Sequence, residues 1–582
     1  MELAYLWIEN YKVLSNQEFN FGAKYYFSLK NKTITYSENA SHIPNFYNIG
    51  SGKANITNIT AVIGQNGAGK TTLFEFIRKY VLGSEIPQKK FIAVYISGDH
   101  IFVKGNRLEE YLFNFKYSQI ENSMRKNKTV FISTVYDRKT EEQIPHELNL
   151  STNFLLQKNS YESTKIQYDI NLLDVFSKNK EELSLNIDLR FPDNLEVALI
   201  DNLMDSKFFY EYSEQINKIN NILLIKEISK EKTLYRQLLF TVFNGFLRYI
   251  SRQKKLHYND KIRSDKELNF LLNDLIVDLA KKIDPLNADD TFLLTLRDMS
   301  ARSDNYKSYK KNIKNIVVFL EYVGNLLGEG KYIDINESRD DRFTLIGQNK
   351  IIEFINYYSR SNFKKDFLEF NWAVLSSGEE CIIDIFSRLY QVVKTNNGSQ
   401  QLNVYLLIDE IENNLHPQWQ KQILEDMIRF IRKFYSNWNV QIILTSHSPF
   451  MISDLPHYNV ILMEKLINGE IVNGTLENHE LTFASNIHTV LAHSFFMKNG
   501  TMGQFATNKV NSLYKQILNK PISELIFQRE EFERLINIIS EPILRHKLMN
   551  TLEERLKFNV YDEINLLKEE ILKLKRLNNN ND

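Results

Sequence analysis

Gly64, Gln65, Asn66, Gly67, Ala68, Gly69, Lys70 and Thr71 follow the pattern GxxxxGK[ST]. Glycines at this spacing let backbone N–H groups close around a phosphate, while the lysine reaches the β- and γ-phosphates and the hydroxyl ligates Mg²⁺. The chemistry implied is capture of a nucleoside triphosphate such as ATP, with Lys70 on the phosphates, Thr71 on the metal and Thr72 completing the loop. Farther along, Leu406, Leu407 and Ile408 run into Asp409 and Glu410. Ligands of open α/β sheets sit at the carboxyl ends of strands, so Asp409 can hold the metal while Glu410 faces the attacking water as general base. Glu412 has two readings, a helper for water or metal and a cap or surface residue of the next helix. Thr445, Ser446, His447, Ser448 and Pro449 follow a third apolar run, where His447 can hydrogen-bond the γ-phosphate and sense its loss.

These residues need a frame. The β-branched run 57–63 ends at Gly64 and gives way to helical spacing at Leu73, Phe76, Ile77 and Tyr80, which is strand, glycine loop, helix. Val404–Ile408 and Val440–Leu444 are short apolar runs that suit a parallel sheet covered by helices. Pro417 stands where a first-turn proline belongs, ahead of the stripe Trp419, Ile423, Met427, Phe430 and Ile431. From about 150 to 345 the spacing is helical with little strand signal, as in Ile316, Phe319, Leu320, Val323 and Leu327. The last hundred residues are helical too. Val560, Ile564, Leu567, Ile571 and Leu574 alternate four and three apart, which fits a helix docked on its own domain or a partner seam.

The chain has 582 residues, 43% hydrophobic and 25% charged, with only 20 Gly and 10 Pro, a composition that excludes collagen and extensive disorder. Lys plus Arg (72) balances Asp plus Glu (72), so a nucleic-acid contact has to be a local patch. The single cysteine, Cys381, excludes an internal disulfide framework and a multi-cysteine metal site. Glu2 and Glu9 stand where a secretory peptide carries basic charge, and no apolar run reaches the roughly 18 residues of a membrane helix, so a cytoplasmic protein is expected.

Leu375, Ser376, Ser377, Gly378, Glu379 and Glu380 open the helical pattern Ile382, Ile385, Phe386 and Leu389. The segment resembles the signature loop of ABC-type ATPases, in which the Ser376 hydroxyl, the Gly378 N–H and the helix start form a second anion site. That resemblance implies an α/β ATPase head, with a large helical insertion and a helical C-terminal extension. It also implies a homodimer or higher oligomer whose copies face head to tail, each placing Ser376, Ser377, Gly378 and Glu379 on the ATP held by the other. The expected division is lobe I at 1–145, the insertion at 146–345, lobe II at 346–500 and the extension at 501–582. The opening Ile8 to Lys12 is similar to the first strand and turn of RecF, SMC and OLD-type ATPases, which implies that Asn10 and Lys12 lie near the nucleotide. No glutamine loop is identifiable.

Asp409 to Pro417, read DEIENNLHP, looks like the form found in OLD-type and phage-defence ATPases. The stretches 482–488, 494–496 and 502–506 resemble PtuA-type ATPases of Septu and retron systems. That likeness implies a sensor or scaffold regulating a separate HNH-type nuclease. No aspartate occurs from 455 to 561, so the metal-binding DxD pair of OLD nucleases is absent from that stretch, and no intrinsic nuclease is expected. The alternative is a RecF- or SMC-like DNA-repair ATPase that binds DNA directly. Two basic clusters serve that alternative or are solvated helix faces: Arg252, Lys254, Lys255, Lys261, Arg263 and Lys266, and Lys307, Lys310, Lys311 and Lys314. Cys381 reads as a buried packing residue, and His488 and His493 as structural rather than metal-binding.

Overall fold

The computed structural model describes residues 1–50, 52–120, 127–157, 161–179, 185–187, 190–200, 210–227, 229–256, 270–301, 309–335, 341–361, 367–372, 375–396, 402–466, 471–475, 481–487 and 502–578, with backbone alone for 161–163, 177–179, 251–256, 474–475, 558–566 and 575–578. The chain divides into two compact units, Met1–Phe495 and Phe496–Asp582.

The first unit starts with β1 (Glu2–Tyr11), which pairs antiparallel with β2 (Leu14–Asn20) and β6 (Phe91–Ser97). A register shift between Leu3 and Tyr5 sends Ala4 and Tyr5 to the same face. Leu3, Leu6 and Ile8 then face one core, and Ala4, Tyr5 and Trp7 another. β7 (His100–Gly105) and β9 (Ser118–Gln119) complete this sheet, and β3 (Tyr25–Lys30), β4 (Thr33–Glu38) and β8 (Leu112–Phe113) form a small sheet of their own. A second sheet has seven strands in the order β11 (Glu147–Asn149), β10 (Asn127–Ser133), β16 (Asn403–Asp409), β17 (Asn439–Ser446), β5 (Asn55–Gly64), β18 (Val460–Lys465) and β19 (Ile471–Thr475). All neighbours are parallel except the edge pair β18 and β19. Parallel strands covered on both faces require continuous apolar runs, and Val404 to Ile408 and Ile442 to Leu444 are fully or almost fully buried. Between the two sheets lies α1 (Lys70–Phe76), continued by a π-helical turn at Ile77–Val81, with Leu73, Phe74, Phe76 and Ile77 in the shared core.

The stretch expected to be a helical insertion is not purely helical. It has helices, among them α2 (Thr152–Gln157), α3 (Tyr161–Asn179), α4 (Ser213–Leu223), α5 (Lys230–Leu256), α6 (Ala288–Ala301) and α7 (Lys310–Glu329), and α8 (Gln348–Arg360) follows just beyond residue 345. The stripe Ile316, Phe319, Leu320, Val323 and Leu327 is buried along α7. A four-stranded antiparallel sheet accompanies the helices, ordered β13 (Ile333–Ile335), β14 (Arg342–Ile346), β12 (Asn194–Leu199) and β15 (Leu368–Trp372). Strands of three to six residues separated by long helices leave too short a period-2 pattern to stand out in the sequence. This sheet runs past residue 345 to Trp372, just ahead of α9 (Ser377–Lys394). After β16 comes α10 (Pro417–Phe434), with the proline in its first turn.

In the second unit, α11 (Gln504–Asn519), α12 (Ile522–Phe527), α13 (Arg529–Asn537) and the first half of α14 (Pro542–Asn578) surround Leu513, Ile517, Leu525, Phe532, Ile536, Leu548 and Leu552. No described helix is long and apolar enough to cross a membrane. Tyr258, Lys261, Arg263, Lys266, Tyr306, Lys307, His488, His493 and Ser494–Phe496 lie outside the described residues, as do the side chains of Arg252, Lys254 and Lys255.

Candidate functional site

The order β10, β16, β17, β5 sets four carboxyl strand ends side by side. In register, Ser133 stands opposite Asp409, Asp409 opposite Thr445, and Ser446 opposite Ile63, one residue before Gly64. Parallel neighbours lie about 4.8 Å apart, so residues nearly three hundred positions apart in sequence share one edge.

The loop leaving β5 is shaped by its glycines. A Cβ at Gly64 would stand 2.3 Å from the Met463 carbonyl oxygen, and Gly67 and Gly69 hold φ of +79° and +94°, a left-handed conformation that side chains resist. Gly69 precedes the first turn of α1. Gln65 is half-buried, Asn66 exposed and Ala68 buried, while Thr71 is exposed in the first helical turn and Thr72 half-buried beside it. Lys70 is 6% exposed, and its Nζ donates to the carbonyls of Gly64 at 2.9 Å and Gln65 at 3.4 Å. Burial pushes its pKa down, opposed by the charges of Glu410, Asp409 and Glu412. Lysine and acids thus share one field across the strand ends.

Asp409 accepts a hydrogen bond from the Thr445 hydroxyl at 2.6 Å. Burial lifts its pKa to about 6, against the pull of that hydroxyl and of Lys70. Glu410 leaves the strand with φ +48°, and its N–H is caught by the Thr445 carbonyl at 3.2 Å and hydroxyl at 3.1 Å. The bend brings Glu410 Oε1 to 3.2 Å from His447 Nε2, while Asn413 Nδ2 donates to Oε2 at 3.0 Å. The His447 contact is the leading cause that holds Glu410 below the usual glutamate range. Glu412 is neither a cap nor a surface residue. It is 3% exposed, and its Oε1 accepts from the Ser446 hydroxyl at 2.8 Å and the His447 N–H at 2.5 Å, which pins the backbone that carries His447. Burial raises its pKa, and its Oε2 has no hydrogen-bond partner among the described residues.

Ser376 caps α9 with a reciprocal box. The Glu379 N–H donates to the Ser376 hydroxyl at 3.3 Å, and the Ser376 N–H and hydroxyl donate to Glu379 Oε2 at 2.9 and 2.7 Å. Ser377 opens the helix, and Gly378 lies so close to α10 that a Cβ would meet Trp419 at 2.7 Å. Among the described residues no hydrogen bond or ion pair joins Ser376, Ser377, Gly378 or Glu379 to the Lys70 loop. A route does lead from this helix to the acids, because Cys381 Sγ donates to the Asn413 carbonyl at 3.4 Å and Asn413 holds Glu410. Cys381 is partly buried, and burial pushes its thiol up to about 12.

Asn10 is exposed near the end of β1, and Lys12, at φ +53° in the β1–β2 turn, is ion-paired with Glu75 of α1. The same turn presses Val13 and Leu14 against Gly69, so it abuts the glycine loop. Three residues without a role in the sequence reading emerge here: Asn413 on Glu410, Thr445 on Asp409, and Ser133 at the end of β10. No glutamine stands at that strand end, where Thr134 and Val135 follow. Thr445 was visible beside His447, whereas the pairing of β10 with β16 had no signal in the sequence. Thr71, in the first turn of α1, and Asp409, at the end of β16, each carry a hard oxygen, and no described cluster of three or more His, Cys, Asp or Glu would hold a metal unaided. That donor set suits Mg²⁺, which keeps waters and substrate phosphates in its shell.

Residues 59–453, more than half of the chain, match the family model described as "AAA domain, putative AbiEii toxin, Type IV TA system". Among curated relatives, "Retron Vc95 probable ATPase" of Vibrio cholerae serotype O1 biovar El Tor is 21% identical over 444 residues, 70% of this chain and 69% of that protein. "Septu protein PtuA" of Bacillus mycoides (strain KBAB4) is 26% identical over 189 residues, 32% of this chain and 24% of that protein. The phage P2 "Old nuclease" is 26% identical over 140 residues, 22% of this chain and 23% of that protein. The chain therefore spans about a quarter or less of the length of the last two relatives. A loop that shares its field with Asp409 and Glu410, on a parallel sheet within the matched span, makes this chain a member of that AAA ATPase family.

Proposed function

We propose that two copies of this chain clasp ATP between the Lys70 loop of one and the Ser376 loop of the other, hydrolyse it, and thereby hold and release a partner nuclease in antiphage defence. The observation that carries the reading is the convergence of Lys70, Asp409, Glu410 and His447 on one sheet edge, while Ser376 to Glu379 form a helix start of their own without a bond to that loop.

In this reading Gly64 to Thr72 wrap the phosphates, with N–H groups and the start of α1 pointing at the anion. Lys70 exchanges its two carbonyl partners for β- and γ-phosphate oxygens. Thr71 and Asp409 would hold Mg²⁺, which supplies charge neutralisation on those oxygens. Glu410 orients a water and takes its proton as the water oxygen bonds to the γ-phosphorus and the bond to the β–γ bridging oxygen breaks. Asn413 fixes Oε2, leaving Oε1 for the water once His447 turns to the γ-phosphate. Ser376 and the Gly378 N–H of the second copy cap the same phosphate, while Ser377 and Glu379 shape that helix start. Asn10 and Lys12 flank the nucleotide from the β1–β2 turn. The insertion and the C-terminal unit are then the parts left for a trigger and for the effector.

The defence role rests on likeness to the retron and Septu proteins named above, and an HNH-type nuclease is the partner class it suggests. Glu410→Gln tests the clasp. It keeps the fold and the metal ligand, removes the base, and is expected to give an ATP- and Mg²⁺-dependent doubling of mass by light scattering. A variant that stays at monomer mass with ATP and Mg²⁺ contradicts the reading. Recovery of the native complex from cells followed by mass spectrometry tests the partner. Salt-sensitive binding of DNA by the full chain with no nuclease recovered would instead favour a RecF- or SMC-like repair role.

A further inference from the structure

α14 is 37 residues long, and among its described side chains those packed in a core, Leu548, Leu552 and the flanking Leu556, lie in its first half. Every described side chain from Leu567 to Leu574 is exposed, with Leu567 at 56%, Ile571 at 51% and Leu574 at 62%. Of the two readings of this spacing, docking on its own domain is not what Leu567, Ile571 and Leu574 do. A stripe of large apolar residues left in water is costly unless something covers it.

The sequence says what covers it. In the register set by the spacing of four and three, Ile564 and Ile571 take position a, and Val560, Leu567 and Leu574 take position d. Ile at a with Leu at d favours two parallel strands. The same register puts Glu563 and Glu570 at g, and Lys568 and Lys575 at e. In a parallel pair, g of one helix faces the following e of its partner, so each glutamate meets a lysine on both sides of the seam. In an antiparallel pair, g would face g and e would face e, and every contact would join like charges.

We infer that the last two heptads of α14 form a parallel two-stranded coiled coil with the same segment of a second copy of this chain. The seam has a handful of core layers over about 22 Å, so alone it is a weak and dynamic contact. It needs no nucleotide, and its parallel sense is compatible with a two-fold axis through a pair of ATPase heads. It goes beyond the proposed ATP clasp, and either can fail without the other.

Disulfide trapping reads such a contact in the full chain. With Cys381→Ala leaving no other thiol, Leu574→Cys at position d is expected to trap a covalent dimer under mild oxidation without ATP, whereas Glu569→Cys, at outward position f, is not. Lys568→Glu with Lys575→Glu should cut trapping at 574 several-fold, and adding Glu563→Lys and Glu570→Lys should restore it. Equal trapping at 569 and 574, or none at 574 in a chain that melts and elutes like its parent, overturns the inference. So does indifference to the charge reversal, or a monomeric chain whose stripe is covered by a different protein.

Discussion

Glu410 is held from two sides, by His447 at 3.2 Å on one oxygen and Asn413 at 3.0 Å on the other, and each contact lowers its basicity. In the proposed mechanism a general base so restrained works once His447 leaves it, which would tie hydrolysis to what His447 bonds. Glu410→Gln is therefore expected to lower kcat by roughly 10²- to 10⁴-fold with ATP still bound, and Lys70→Ala to abolish nucleotide binding itself; turnover and titration of a fluorescent ATP analogue separate the two. Asp409 makes a prediction in pH. Burial lifts it to about 6 from its ordinary 3.8, so the folded chain holds this proton more tightly than the unfolded chain. Its contribution to stability is then greatest below the unfolded value and is lost as pH rises through 6, leaving a cost on the order of 3 kcal/mol at neutral pH. Without nucleotide, Asp409→Asn should raise the melting temperature at pH 7 and make no difference near pH 4. Equal effects at both pH values would contradict this. Most of these residues were legible in the sequence because each stands at a strand end or glycine loop with a chemical signature. Glu412 was not, since a glutamate ahead of a helix usually caps or faces water, and only the close passage of Ser446 and the His447 N–H beside it makes it a buried clamp.

Among the elements, α9 is the piece whose placement decides whether the two halves of a composite site meet. Two of its contacts bear on the site. Gly378 touches α10, with no room for a Cβ against Trp419, and Arg388, fully buried, bonds Asp384, the carbonyls of Ser133 and Leu150 at 2.7 Å and the Thr152 hydroxyl. Arg388 thus ties α9 to the end of β10, beside Asp409. Gly378→Ala should lower ATPase activity with nucleotide affinity of the Lys70 loop unchanged, and Trp419→Leu should restore part of the loss by opening the contact. Arg388→Ala removes the guanidinium that Asp384 and the carbonyls of Ser133 and Leu150 share, and should cost about 3 to 5 kcal/mol in denaturant unfolding. The glycine loop, β16, β17, α9 and α10 were readable because their apolar periods are long and their boundaries carry glycine, proline or a capping box. The sheet of β12 to β15 was hidden because its strands are short, and β10 because its apolar residues look like any brief buried run until β16 lies beside it.

At the scale of the molecule, the sheet order gathers Lys70, Asp409, Glu410 and His447 onto one edge, while α9 closes its own cap and makes no bond to the Lys70 loop. In the proposed function such a chain carries both halves of a phosphate clasp, used in trans. No sequence pattern could show this, since the same motifs fit one copy or two. The direct measurement is complementation between two inactive variants, Lys70→Ala and Ser376→Arg. Mixed one to one, half of the random dimers pair an intact Lys70 loop with an intact Ser376 loop at one of two sites, so ATPase activity should return to about a quarter of the parent rate. Activity that stays at the level of the separate variants at every mixing ratio would contradict the clasp.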